Sequence, residues 1–223
     1  MIKVCGKSVN TNFIHAGIPL KKLTLFSLII LLTPVYVHAK EPFFAPNYNI
    51  LGFGGIYVNS DLAPISFNLD FKYRPSYIYG IGINRKINRK FSIFEFELEG
   101  MLAKHTGAMN HYEGVGVAIA RIPKIFGLPM SFALGEGQSV ATHNPKLENL
   151  AVGYDRGRIN FDDIESRAWL NYLMFEIDYN LPWTETSKVF VRIHHRSGIY
   201  GVYCPPTPPC GSNFVVYGFK TEI

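Results

Sequence analysis

From about residue 48 onward the chain alternates apolar and polar residues with a period of two, the mark of strands with two unlike faces. Eight such segments can be counted: about 48 to 58, 75 to 86, 90 to 104, 110 to 122, 129 to 139, 167 to 181, 188 to 200 and 213 to 223. At about 11 to 15 residues each they exceed the usual length of globular strands and suit tilted strands that cross a bilayer. The links near Lys86 to Lys90, Pro123 to Leu128 and Pro182 to Ser187 are short, whereas Asn59 to Arg74, Gln138 to Ser166 and Gly201 to Ser212 are long. Short turns at one end and long loops at the other predict an all-β fold, an eight-stranded antiparallel transmembrane β-barrel with an up-and-down meander. The short link near Lys104 to Met109 falls at the long-loop end and breaks the rule.

Backbone groups in hydrocarbon must pair within the protein, so a spanning sheet has to close on itself. The polar parity then faces inward. Glu95, Glu97 and Glu99 oppose Phe94, Phe96 and Leu98; Glu176 and Asp178 oppose Leu173, Phe175, Ile177 and Tyr179; Lys188, Arg192 and Arg196 oppose Val189, Val191 and Ile193. Acids and bases in comparable number fit a narrow barrel filled by paired charges. A soluble lipocalin-type barrel, with charges outside and an apolar cavity, is the alternative. The segment FVVYGFKTEI favours the membrane: Val215, Tyr217, Phe219, Thr221 and Ile223 share one face, like the last strand of many outer-membrane proteins, although those usually end in an aromatic residue.

Composition adjusts this picture at the amino-terminal end. Lys21 and Lys22 precede LTLFSLIILL, and Val37-His38-Ala39 offers a signal-peptidase pattern, so residues 1–39 are expected to be a signal peptide and 40–223 the barrel domain. The ten-residue apolar core from Leu23 to Leu32 is shorter than the roughly 20 residues a membrane helix needs. Without residues 1–39 the formal charge falls from +5 to +1, which removes the main support for nucleic acid as a partner. Cys204 and Cys210, in CPPTPPC, are expected to form a disulfide in an oxidising compartment.

Parity gives the seventh segment its interest. His195 and Ser197 share the lipid-facing side with Val189, Val191, Ile193 and Ile199, while His194 and Arg196 point inward. Residues i and i+2 of a strand stand on one face, close enough for an imidazole to activate a serine hydroxyl. The bland account is a pair of polar residues at the aqueous rim.

The run Ile193-His194-His195-Arg196-Ser197-Gly198, followed by a loop and a last strand opening Gly211-Ser212-Asn213, resembles the lipid A 3-O-deacylases of the PagL type. These are eight-stranded outer-membrane barrels whose active site faces lipid. The resemblance covers roughly the last 50 residues and the strand plan. It implies an esterase of the bacterial outer membrane acting on lipid A or another ester lipid of the outer leaflet, with His195 as general base, Ser197 as nucleophile and Asn213 in the third position. Two departures stand out: Gly198-Ile199 replaces Asn-Ala, and Asn213 replaces the family's glutamate. An Asn carbonyl can fix the imidazole tautomer but supplies no negative charge. A non-catalytic barrel serving adhesion or envelope integrity is the other reading.

Asn171 is a candidate oxyanion donor, with the Gly198 N–H as its alternative. Glu136, on the fifth strand, is set aside as not adjacent to the seventh. His105, His111 and His143 read as surface histidines, Tyr77, Tyr79, Tyr172, Tyr179 and Trp169 as an interfacial girdle, and Arg156 and Arg158 as possible phosphate ligands in a charged loop. No cofactor or metal is implied. A homodimer is compatible with the sequence.

Overall fold

The computed structural model describes residues 42–148, 166–199, 201–204 and 210–223; the expected signal peptide and the pair Arg156 and Arg158 lie outside them. Eight strands close into one antiparallel barrel in simple sequence order: β1 (Phe44–Val58), β2 (Tyr73–Phe91), β3 (Phe94–Gly107), β4 (Tyr112–Ile122), β5 (Met130–Ala141), β6 (Trp169–Asn180), β7 (Ser187–Ser197) and β8 (Gly211–Glu222). β1 pairs with β8, so no sheet edge remains.

The polarity is that of a membrane barrel. Outward Leu102 and Ile81 are 68% and 67% exposed, whereas Arg121, Arg192 and Lys220 are almost wholly enclosed. Inside, charges pair in a continuous chain. Arg121 bonds Glu97 (2.7 Å), Glu176 (2.8 Å) and Asp178, Arg192 bonds Glu99 and Glu176 (both 2.6 Å), and Lys220 bonds Glu176 at 3.0 Å. Each buried cation thus has carboxylate partners, which burial of charge requires. Toward the long-loop end, which we take as the outer end, Glu113 gathers His105 (2.7 Å), His194 (3.1 Å) and Arg196 (3.7 Å). Arg196 also reaches Glu148, in the loop after β5.

Several expectations change here. The β2–β3 ladder continues to Phe91 opposite Phe94, past a bulge after Ile87, so the turn falls at Ser92-Ile93 rather than within 86 to 90. His105 and His111 are not surface residues; their rings stack at 4.1 Å inside the barrel, while His143 is exposed. Tyr172 faces inward, fully buried and edge-on to His194, and so leaves the girdle.

One element was not expected. The link between β1 and β2 contains a short helix, α1 (Leu62–Asn68), whose Ile65 packs on Val58 and Val215, with Phe71 and Ile193 alongside. Val215 and Ile193 belong to the outward parity of β8 and β7, so α1 lies against the outside of the wall. Its Phe67 is 84% exposed.

Candidate active site

The register of β6, β7 and β8 assembles the three expected residues. His195 lies opposite Asn213 on β8 and Leu173 on β6; Ser197, the last residue of β7, lies opposite Asn171 and Gly211. All four polar residues share the outward parity, near the outer end of the wall.

Asn213 is tied at both ends of its amide. Its Nδ2 donates to the Ser60 carbonyl at 2.8 Å, and its Oδ1 lies 2.7 Å from His195 Nδ1. A backbone carbonyl only accepts, so Ser60 fixes the NH2 on its own side and turns the amide oxygen to the imidazole. His195 Nδ1 must then carry the proton, and Nε2 is left with a free lone pair. Ser60 is delivered by the segment between β1 and α1, whose packing leaves Asn213 only 8% exposed. Asn213 therefore fixes the orientation and tautomer of His195, though it contributes no charge.

Ser197 Oγ accepts a hydrogen bond from the Ile199 N–H at 3.2 Å, and among the described residues no bond joins it to His195. The hydroxyl proton of Ser197 stays available, and apo sites commonly hold nucleophile and base further apart than the reacting complex does.

The two donors considered for an oxyanion fare differently. The Gly198 N–H donates to the Cys210 carbonyl at 3.0 Å and is already used. Asn171 remains: it is 5% exposed, opposite Ser197, and its amide reaches the carboxylate of Glu136 on β5. Glu136, set aside in the sequence reading, thus touches the site through Asn171. It does not meet His195, whose partner is Asn213, so setting Glu136 aside as the missing carboxylate agrees with the strand order.

Cys204 and Cys210 are joined, as the sequence suggested. The bridge explains Gly198: a Cβ at residue 198 would overlap Cys204 Sγ, so only glycine fits after Ser197. The same loop sends the Tyr203 hydroxyl to Gln138 Oε1 at 2.8 Å, where the Trp169 indole N–H also donates at 2.7 Å. Tyr203, Gln138 and Trp169 form a polar clasp on the outer wall beside Asn171.

No family model and no curated protein sequence matches the chain. Among solved structures it is similar to the N-terminal β-barrel domain of Pseudomonas aeruginosa OprF, with 13% identity and a TM-score of 0.45 over 81% of this chain and 99% of that one. Neisserial surface protein A is similar at 11% identity and a TM-score of 0.44, over 80% of this chain and 97% of that one. The outer membrane enzyme PagL is similar at 13% identity and 0.45, over 78% and 99%. The chain is an eight-stranded outer-membrane barrel, on the evidence of its closed meander, apolar exterior and paired charged interior.

Proposed function

We propose that this barrel is an esterase that removes an acyl chain from lipid A or a related ester lipid of the outer leaflet. The observation that carries this reading is the Ser60–Asn213–His195 relay, which leaves His195 Nε2 unprotonated on the face that carries Ser197. In the reaction His195 Nε2 takes the Ser197 hydroxyl proton while Oγ attacks the ester carbonyl. Asn171 donates its free amide N–H to the oxyanion. His195 then protonates the departing alkoxide, and water, activated by the same nitrogen, releases the acyl group and restores Ser197.

The position of the residues supports a lipid substrate. Ser197 and His195 open to the outer wall rather than the lumen, so an ester at the outer-leaflet interface approaches them laterally. A barrel that has kept this scaffold without the chemistry is the second reading; the orientation of Ser197 Oγ toward Ile199 rather than His195 favours it.

The test is expression in a bacterium of defined lipid A, with mass spectrometry of that lipid A. Loss of one acyl chain in the wild type, absent in Ser197→Ala and His195→Ala, is the expected result. If both variants reach the outer membrane folded and still cleave, the site is assigned to the wrong residues. Intact lipid A and intact phospholipid in cells with folded wild-type protein would retire the esterase.

A further inference from the structure

The links at the outer end of the barrel treat apolar residues in two ways. In the β3–β4 turn Met109 is buried while Ala108 and Asn110 are exposed, and in the segment after β5 Leu147 is buried while Thr142, His143, Asn144 and Lys146 are exposed. That is the pattern of loops in water. The link that carries α1 reverses it, with Phe67 84% and Leu69 69% exposed. Leu69 holds its place against its backbone preference. At the end of α1 the Asp70 N–H donates to the Pro64 carbonyl at 3.2 Å, and Leu69 takes the left-handed conformation there, with φ 55°, a position that helix ends usually give to glycine.

The contacts of α1 place it at the level of the outer leaflet. Ile65 rests on Val58 and Val215, with Ile193 alongside. Ile193 and Val215 face each other across β7 and β8, and the next outward pair down the wall, Val191 and Tyr217, is open to lipid. α1 is thus folded back over the wall, and its exposed side continues the apolar exterior of the barrel. Charged residues bound the segment: Asp61 stands before it, and Asp70 and Lys72, 3.5 Å apart, stand after it. An apolar middle between charged ends suits a segment lying at the boundary of headgroups and acyl chains.

We propose that α1 is an anchor in the outer leaflet: lipid acyl chains cover Phe67 and Leu69 and thereby latch the Ser60–Asn213–His195 relay. Lifting α1 off the wall, toward the water above the rim, would carry both side chains out of hydrocarbon, and the hydrophobic effect opposes that step. Ser60 precedes α1 by two residues and moves with it. Without the Ser60 carbonyl the Asn213 amide is free to turn, and His195 loses the group that selects its tautomer. The anchor itself needs only the membrane barrel; its effect on catalysis rests on the esterase reading.

The test places a nitroxide at Phe67→Cys, in a Cys5→Ser background, with the barrel in phosphatidylcholine vesicles. Collisions with oxygen should exceed those with a water-soluble nickel chelate, as they should at Leu102→Cys on the lipid-facing wall; the opposite ratio, that of a label at His143→Cys in water, overturns the proposal. The latch is tested with Phe67→Asp, whose fold heat-modifiable gel mobility verifies. The Ile65 amide, which donates to the Asp61 carbonyl at 3.1 Å, should exchange at least about tenfold faster, and His195 should lose its single Nδ1–H tautomer in imidazole nitrogen spectra. Phe67→Leu, which keeps an apolar side chain, should match the wild type in both. Unchanged exchange or an unchanged tautomer in Phe67→Asp overturns the latch. None of these measurements requires turnover, so a wild type that cleaves no ester would retire the esterase and leave the anchor to be decided by the label.

Discussion

Replacing Asn213 by Asp adds the charge that the proposed triad lacks, with almost no change of shape, and the structure nevertheless predicts no gain. The amide of Asn213 serves two unlike neighbours: it donates to Ser60 O at 2.8 Å and accepts from His195 at 2.7 Å. A carboxylate keeps the second contact and sets two acceptor oxygens about 2.8 Å apart at the first. Leaving a buried acceptor unpaired costs roughly 1–3 kcal/mol, and more when it is charged. Asn213 is buried enough for that cost to apply. The variant can escape by rotating away from Ser60 or by taking up a proton, and either move spoils its grip on His195. We expect a lower urea midpoint for unfolding in detergent micelles and a kcat/KM on a short-chain ester no higher than that of the wild type. Asn213→Ala should lose both contacts and show a comparable loss of stability with a larger loss of activity. A tenfold rise in kcat/KM for Asn213→Asp at unchanged stability would refute the reasoning, because it would mean that Ser60 does not orient the amide.

Other outcomes follow from the same contacts. Arg121→Met leaves Glu97, Glu176 and Asp178 without their shared cation and should cost about 3–5 kcal/mol, read from the urea midpoint. Asn171→Leu removes the donor proposed for the oxyanion and, on the esterase proposal, should lower kcat by roughly 10²–10³ with KM little changed. Burial pushes Glu148 up to about 7 against the pull of Arg196. With a raised pKa, its contribution to loop docking is complete below the ordinary carboxyl value of about 4.3 and is lost as pH rises through about 7. Hydrogen exchange in residues 142–148 should therefore quicken between about pH 5 and about pH 8, by more than the intrinsic pH effect; Glu148→Gln should remove that excess.

The barrel was legible because alternation, strand length and loop asymmetry report one physical demand, a closed sheet with a dry outside. Parity went further than it was first used. His105 shares the inward parity of Glu97 and Glu99, and Tyr172 that of Glu176 and Asp178, so both could have been placed inside the barrel from the sequence. The β2–β3 turn was misplaced for a different reason. Asn88, Arg89 and Lys90 look like a turn, yet Asn88 and Arg89 form a bulge and pairing with β3 resumes at Lys90, which a strand that has left the hydrocarbon can allow. Helix α1 has seven residues, too few for a 3.6-residue period to emerge.

At the site, His195 and Ser197 were readable from spacing and Asn213 from counting along the last strand, but Ser60 was not. It lies 153 residues from Asn213 in the chain and acts through its backbone carbonyl, which no side-chain pattern records. That partner changes the meaning of the asparagine. Alone, an Asn beside a histidine is as free to donate as to accept, and donation would select the wrong tautomer. Held by Ser60, it accepts. The neighbouring polar groups obey the same discipline: Asn171 is met by Glu136, and Gln138 by Trp169 and Tyr203. Polar side chains on the lipid side of a barrel are costly unless paired. Part of that pairing is structural, since Asn213 ties the segment before α1 to the wall and Gln138 ties down the loop after β7. Four strands carry these side chains at matched positions, each with a partner, which is the arrangement the proposed esterase would need.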